Sequence, residues 1–186
     1  VERARDAAPG LPAVLIGHSL GAHISALAVL TGTVDVAALV TLAGGNIHYA
    51  NWDGASRLGI RLTGWLFSGL TRLFGYLPGR RFGFGGPQAA TLIREWAQVI
   101  RGGRYDHATG GHALNGRAPL LAIGFEGDRL APRKSIAQLA AMMDGRVEIL
   151  PADGPGNPHS AWARNPDRTV ELIDGALREI LKPCAA

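Results

Sequence analysis

Ala13-Val14-Leu15-Ile16-Gly17-His18-Ser19-Leu20-Gly21-Ala22 is the stretch whose reading decides the fold. Its first half, Ala13 to Gly17, is a short apolar run behind Pro12 and reads as a buried strand. After Ser19 the period changes. Ala22, Ala26, Leu27 and Leu30 recur at three and four residues up to Gly32, which predicts a helix and its stop. The junction is Gly17-x-Ser19-x-Gly21, a G-x-S-x-G pattern set between strand and helix. So sharp a turn strains the serine backbone and is expected to leave room only for glycine on both sides. The hydroxyl then stands at the strand's C-terminal end, beside a helix N-terminus that favours developing negative charge. Ser19 is therefore the candidate nucleophile.

Outward from this junction, strand and helix patterns alternate. Val36 to Leu42 is a second buried run closed by Gly44-Gly45, Pro119 to Phe125 a third, and Arg146 to Leu150 a fourth strand. Arg133 to Met143 and Pro166 to Leu181 read as helices, the latter with Asn165 as N-cap and Pro166 at its first position. The alternation predicts an α/β fold, a mostly parallel sheet with helices on both faces. A serine nucleophile needs a base, and the base an orienting acid, in the chain order Ser, acid, His that follows such an elbow. Asp128, in E-G-D-R-L-A-P past the third strand, is the candidate acid. His159, in the Pro- and Gly-rich loop after the fourth strand, is the candidate base. Both fall where an open α/β sheet places its site, at strand C-termini. Asp153 follows the fourth strand and remains an alternative acid, whereas Asp106 precedes the third strand and is on its wrong side. His18, inside the elbow, is expected to pack beside the nucleophile or touch substrate.

The middle of the chain does not alternate. Residues 47–117 hold ten of the twelve aromatic side chains, and nine arginines against three acids. Two helix candidates, Leu58 to Gly75 and Pro87 to Arg101, are joined by the Gly/Arg-rich Pro78 to Gly86. The expected organisation is an α/β core in 1–46 and 118–186 with a helical cap insertion in 47–117. Leu62, Leu66, Leu70 and Leu73 form an apolar helix face read as a cover for the cleft, with interfacial membrane contact as the alternative. Gly79 to Gly86 lacks the G-K-[ST] ending of a phosphate loop and does not follow a strand. His107 and His112 have no acidic or cysteine ligands placed to complete a metal site, so no metal is expected.

Composition sets the frame for these residues. A chain of 186 residues, 47% apolar and 18% charged, has the make-up of a folded globular domain. Leu58 to Leu77 is its most apolar stretch, but Arg61 and Arg72 interrupt it, so no stable membrane insertion is expected. The one cysteine, Cys184, excludes a disulfide framework and suits a reducing, cytoplasmic setting. Nucleic acid is not an expected partner.

The elbow, the strand and helix order and the Ser19, Asp128, His159 sequence together resemble the α/β-hydrolase superfamily, through essentially the whole chain. Gly75 to Pro87 (G-Y-L-P-G-R-R-F-G-F-G-G-P), then a Trp-bearing helix and R-G-G-R-Y-D, is similar to a group of bacterial α/β-hydrolases of undefined substrate. The resemblance implies Ser19 as nucleophile, Asp128 as acid, His159 as base, and the Leu20 backbone N–H as one oxyanion donor. It also implies about four strands ahead of the elbow strand. The chain begins without Met and carries only Val1 to Pro12 there, so N-terminal strands are expected to be missing. The implied activity is cofactor-independent cleavage of a small-molecule acyl substrate, a carboxylic ester or related bond. Transfer to an acceptor other than water, and a non-catalytic remnant, remain open alternatives.

Overall fold

Four parallel strands form the main sheet, and Ser19, Asp128 and His159 all follow its strands. The computed structural model describes residues 1–82 and 86–182, and Cys184 and part of the Pro78 to Gly86 linker lie outside them. In chain order the elements are α1 (Glu2–Ala7), β1 (Val14–His18), α2 (Leu20–Leu30), β2 (Ala38–Leu42), α3 (Gly54–Phe74), β3 (Tyr76–Leu77) and β4 (Gln88–Ala89). They continue with α4 (Ala90–Gly102), β5 (Leu120–Phe125), α5 (Arg133–Ala140), β6 (Arg146–Leu150), α6 (Pro158–Ala161) and α7 (Asp167–Ile180). The chain divides into two units, Val1–Gly45 with Ala113–Ala186, and Asn46–His112.

In the first unit the sheet order is β1-β2-β5-β6, every neighbour parallel. The register runs from Val14 opposite Ala38 to His18 opposite Leu42, and on to Phe125 opposite Leu150. Parallel strands covered on both faces read as continuous apolar runs, as β2 and β5 do, and every residue of both is buried. Val40, Leu42, Leu121, Ile123 and Phe125 pack against Leu172, Ile173, Ala176 and Leu177 of α7. The alternate positions face the other way: a Cβ at Gly124 would collide with Ile136 of α5. β1 lies at the sheet edge, with Ile16 exposed.

Two local expectations are corrected. The last helix begins one residue late, so Pro166 rather than Asn165 occupies its N-cap and no side chain caps it. A Cβ at Gly17 would lie 2.5 Å from the Gly21 carbonyl oxygen, whereas one at Gly21 would meet nothing within 4 Å. The elbow thus requires glycine only on its strand side, because Gly21 already points away from the sheet within α2.

The second unit is built on α3 and α4 with a short antiparallel β3–β4 pair that was not anticipated. Gln88 and Ala89 belong to that pair, so α4 starts at Ala90 instead of near Pro87. Phe67, Leu77 and Ile93 form its core, with Leu70 and Trp96 packed on it. The predicted leucine face is split: Leu70 turns inward, while Leu62, Leu66 and Leu73 are exposed. Among the described residues no helix is long and apolar enough to cross a membrane.

His23, on the buried side of α2, has its pKa pulled from the usual histidine value down to about 4, chiefly by burial, while a hydrogen bond with the Gly45 backbone acts the other way. The unfolded chain therefore binds one more proton than the folded chain between about pH 4 and 6.5. Stability should fall by up to about 3 kcal/mol as pH drops through that window, and be indifferent to this group above it. Denaturant midpoints of the native chain and of His23→Leu, compared from pH 4 to 8, read the difference. Parallel curves would mean that His23 is protonated in the folded chain.

Candidate active site

Because β1, β5 and β6 are parallel, the segments that leave them emerge on one edge of the sheet. Ser19 leaves β1, Asp128 follows β5 by three residues, and His159 lies in the segment after β6. Ser19 is held at φ 52° and ψ −118°, a conformation a non-glycine residue adopts only under strain. Two backbone bonds keep it there. Its N–H donates to the Leu42 carbonyl at 2.9 Å, and its carbonyl accepts from Ala22 N–H at 3.0 Å.

From this position the Ser19 Oγ lies 2.9 Å from His159 Nε2, and His159 Nδ1 lies 2.8 Å from Asp128 Oδ2. An ionised carboxylate can only accept, so Nδ1 carries the proton and Nε2 is left with its lone pair toward the serine hydroxyl. The Asp128 side chain is fully buried, and that of His159 is partly exposed, at 13%. The other oxygen, Oδ1, accepts from Leu130 N–H at 2.8 Å and Ala131 N–H at 3.1 Å. Those two bonds close a turn around the carboxylate and aim Oδ2 at the ring. His159 is seated in turn by Asn157, whose Oδ1 caps α6 by accepting the His159 N–H at 3.1 Å. Asn157-Pro158 is a helix-start signature, an N-cap followed by proline at N1, so this seat could have been read from the sequence.

Leu20 opens α2, so its N–H belongs to the first turn, whose N–H groups have no partner within the helix. His18 precedes Ser19 and packs on His159: its Nε2 is 2.9 Å from the His159 carbonyl, and its ring lies 5.2 Å from that of His159 and 5.6 Å from that of Trp162. The alternative acid, Asp153, is not brought to the ring; it pairs with Arg168 at 3.4 Å. Asp106 belongs to the second unit and pairs with Arg104. His107 there is taken up by the Glu95 carbonyl at 3.0 Å. Among the described residues no group of three or more His, Cys, Asp or Glu side chains is placed to hold a metal ion.

A sequence profile of the alpha/beta hydrolase family matches residues 1–172. The chain belongs to that family. Solved structures of the same fold include a monoacylglycerol lipase of Paleococcus ferrophilus, with 12% identity, 92% of this chain and 71% of that one covered, and TM-score 0.56. A thermophilic esterase has 16% identity, 97% and 70% coverage, and TM-score 0.53. A protein of Mycobacterium tuberculosis H37Rv, provisionally named non-heme bromoperoxidase BpoC, has 17% identity, 96% and 71% coverage, and TM-score 0.55. No curated protein matches at a significant level. At such identities the likeness establishes the fold, so what this α/β-hydrolase does must be argued from its own side chains.

Proposed function

We propose that this α/β-hydrolase cleaves a carboxylic ester or related acyl bond through an acyl-enzyme on Ser19. The observation that carries the reading is the unbroken path from Ser19 Oγ through the His159 ring to the buried Asp128 carboxylate, with contacts of 2.9 and 2.8 Å. His159 Nε2 takes the hydroxyl proton as Oγ attacks the acyl carbonyl, and Asp128 stabilises the imidazolium that forms. The proton then passes to the leaving alkoxide, which departs as an alcohol. Water, deprotonated by the same nitrogen, attacks the acyl-enzyme and releases the acid. The Leu20 N–H, at the N-terminus of α2, donates to the oxyanion formed in each half-reaction. None of these steps calls on a cofactor. The aromatic content of residues 47–117 supports a cap role for that segment and a small substrate with an apolar acyl or aryl group.

The test is covalent capture. The purified chain, treated with a fluorophosphonate and digested, is expected to carry one phosphonyl group, on the peptide containing Ser19. Modification elsewhere, or a folded chain that stays unmodified, would remove the acyl-enzyme reading. A panel of p-nitrophenyl esters of rising acyl length then ranks substrates.

A further inference from the structure

We propose that His18 is a positioning residue of this site, holding the backbone of His159 in place through its imidazole Nε2–H. The proposal rests on the acyl-enzyme reading, but its geometry stands separately. A carbonyl oxygen has no proton to give, so the 2.9 Å contact between His18 Nε2 and the His159 carbonyl requires Nε2 to be the donor. The elbow histidine is thereby assigned a definite tautomer.

The carbonyl is open to it because α6 is only four residues long. The backbone donor four residues on, Ala163 N–H, goes to Ser160 at 3.2 Å instead of to His159. With Asn157 accepting the N–H and Asp128 accepting at Nδ1, His159 is tied at three points on three different segments. The His18 tie has a property the other two lack. It springs from the residue bonded to Ser19, so the base hangs from the same backbone turn that carries the nucleophile. A shift of residues 157–162 that lengthened the Ser19 Oγ to His159 Nε2 contact would stretch the His18 bond with it. Packing backs the bond: the His18 ring lies against Trp162, which stacks parallel to Phe125, three residues from Asp128. Reacting groups misplaced by about 1 Å lose on the order of 100-fold in rate. A single lost tie is expected to cost less, about tenfold.

Three readings of His18 separate in one experiment. A substrate contact would act on affinity, a merely packed ring would tolerate phenylalanine, and a carbonyl clamp needs a donor at Nε2. Glutamine sets its amide nitrogen the same number of bonds from Cβ and can supply that donor. The saturating rate and half-saturation concentration of fluorophosphonate labelling are measured on the full chain for the native protein, His18→Phe and His18→Gln. His18→Phe is expected to lose about tenfold in the saturating rate at unchanged half-saturation, and His18→Gln to recover to within about threefold. Native-like labelling by His18→Phe, equal loss in both variants, or a change confined to half-saturation would overturn the clamp. If the native chain is not labelled at Ser19, the acyl-enzyme reading fails instead. The clamp is then decided by long-range ¹⁵N–¹H spectra of the unmodified chain. Protonation of His18 at Nε2 supports it and an Nδ1–H tautomer overturns it, a readout that also serves if His18→Phe fails to fold.

Discussion

Ser19→Ala is expected to reduce turnover about a million-fold, the scale on which serine hydrolases of this mechanism lose rate with their nucleophile. What the structure adds is a second expectation, on stability, for Ser19→Gly. At φ 52° and ψ −118° a residue with a Cβ carries roughly 1–3 kcal/mol of backbone strain that glycine does not. Glycine also gives the unfolded chain more freedom, worth about 0.5–1 kcal/mol against folding. The balance favours the variant by about 1 kcal/mol, or a few degrees in Tm for a chain of this length. Ser19→Gly should therefore be as inactive as Ser19→Ala and melt above it. Ester turnover and calorimetry on the two variants give both readings. Substantial turnover in either would remove Ser19 from the mechanism, and a lower Tm for glycine would mean that the elbow stores no strain.

Asp128→Asn should cost about 10⁴ in turnover with little change in stability. Two backbone N–H groups already claim one side of the carboxylate, so the variant's single carbonyl oxygen is drawn to Leu130 and Ala131. The reverse orientation would set an NH₂ against two donors. The amide nitrogen is left facing His159 Nδ1, which must now accept. The histidine proton moves to Nε2, where it points at Ser19 and no lone pair remains to take the hydroxyl proton. Asp128→Ala loses the same catalysis and also strips the acceptor from the part-buried Leu130 N–H and the buried Ala131 N–H, at about 1–3 kcal/mol. Comparing Tm and turnover across the pair separates the two functions of one side chain. An Asp128→Asn variant that kept most of its turnover would show that the acid does not set the tautomer.

The strand-to-helix turn at Ser19 was legible because a continuous apolar run gives way to period 3.6 within ten residues. The four strands of the parallel sheet were legible, three of them as buried runs, whereas their order in the sheet was not. Asp128 and Asp153 show where sequence stops. Each lies three residues beyond its strand, after Phe125 and Leu150, and spacing alone gives them equal standing. Only the folded turn separates them: backbone donors turn Asp128 inward, while Asp153 is drawn outward by Arg168. The β3–β4 pair was hidden for another reason, since strands of two residues have no period to detect. The His18 contact spans 141 residues, a separation that no local pattern encodes.

The close approach of α2 to the sheet bears on how this scaffold could change under selection. A methyl group at Gly17 would meet the α2 backbone at 2.5 Å, and one at Gly44 would run into the Ala22 side chain. Nearly every amino-acid change at these two positions is thus predicted to be purged, whatever compound is offered. Gly21, with open space beside it, belongs to the permissive set. A library aimed at new specificity would hold 17 and 44 fixed and diversify position 21, where an added Cβ meets nothing within 4 Å.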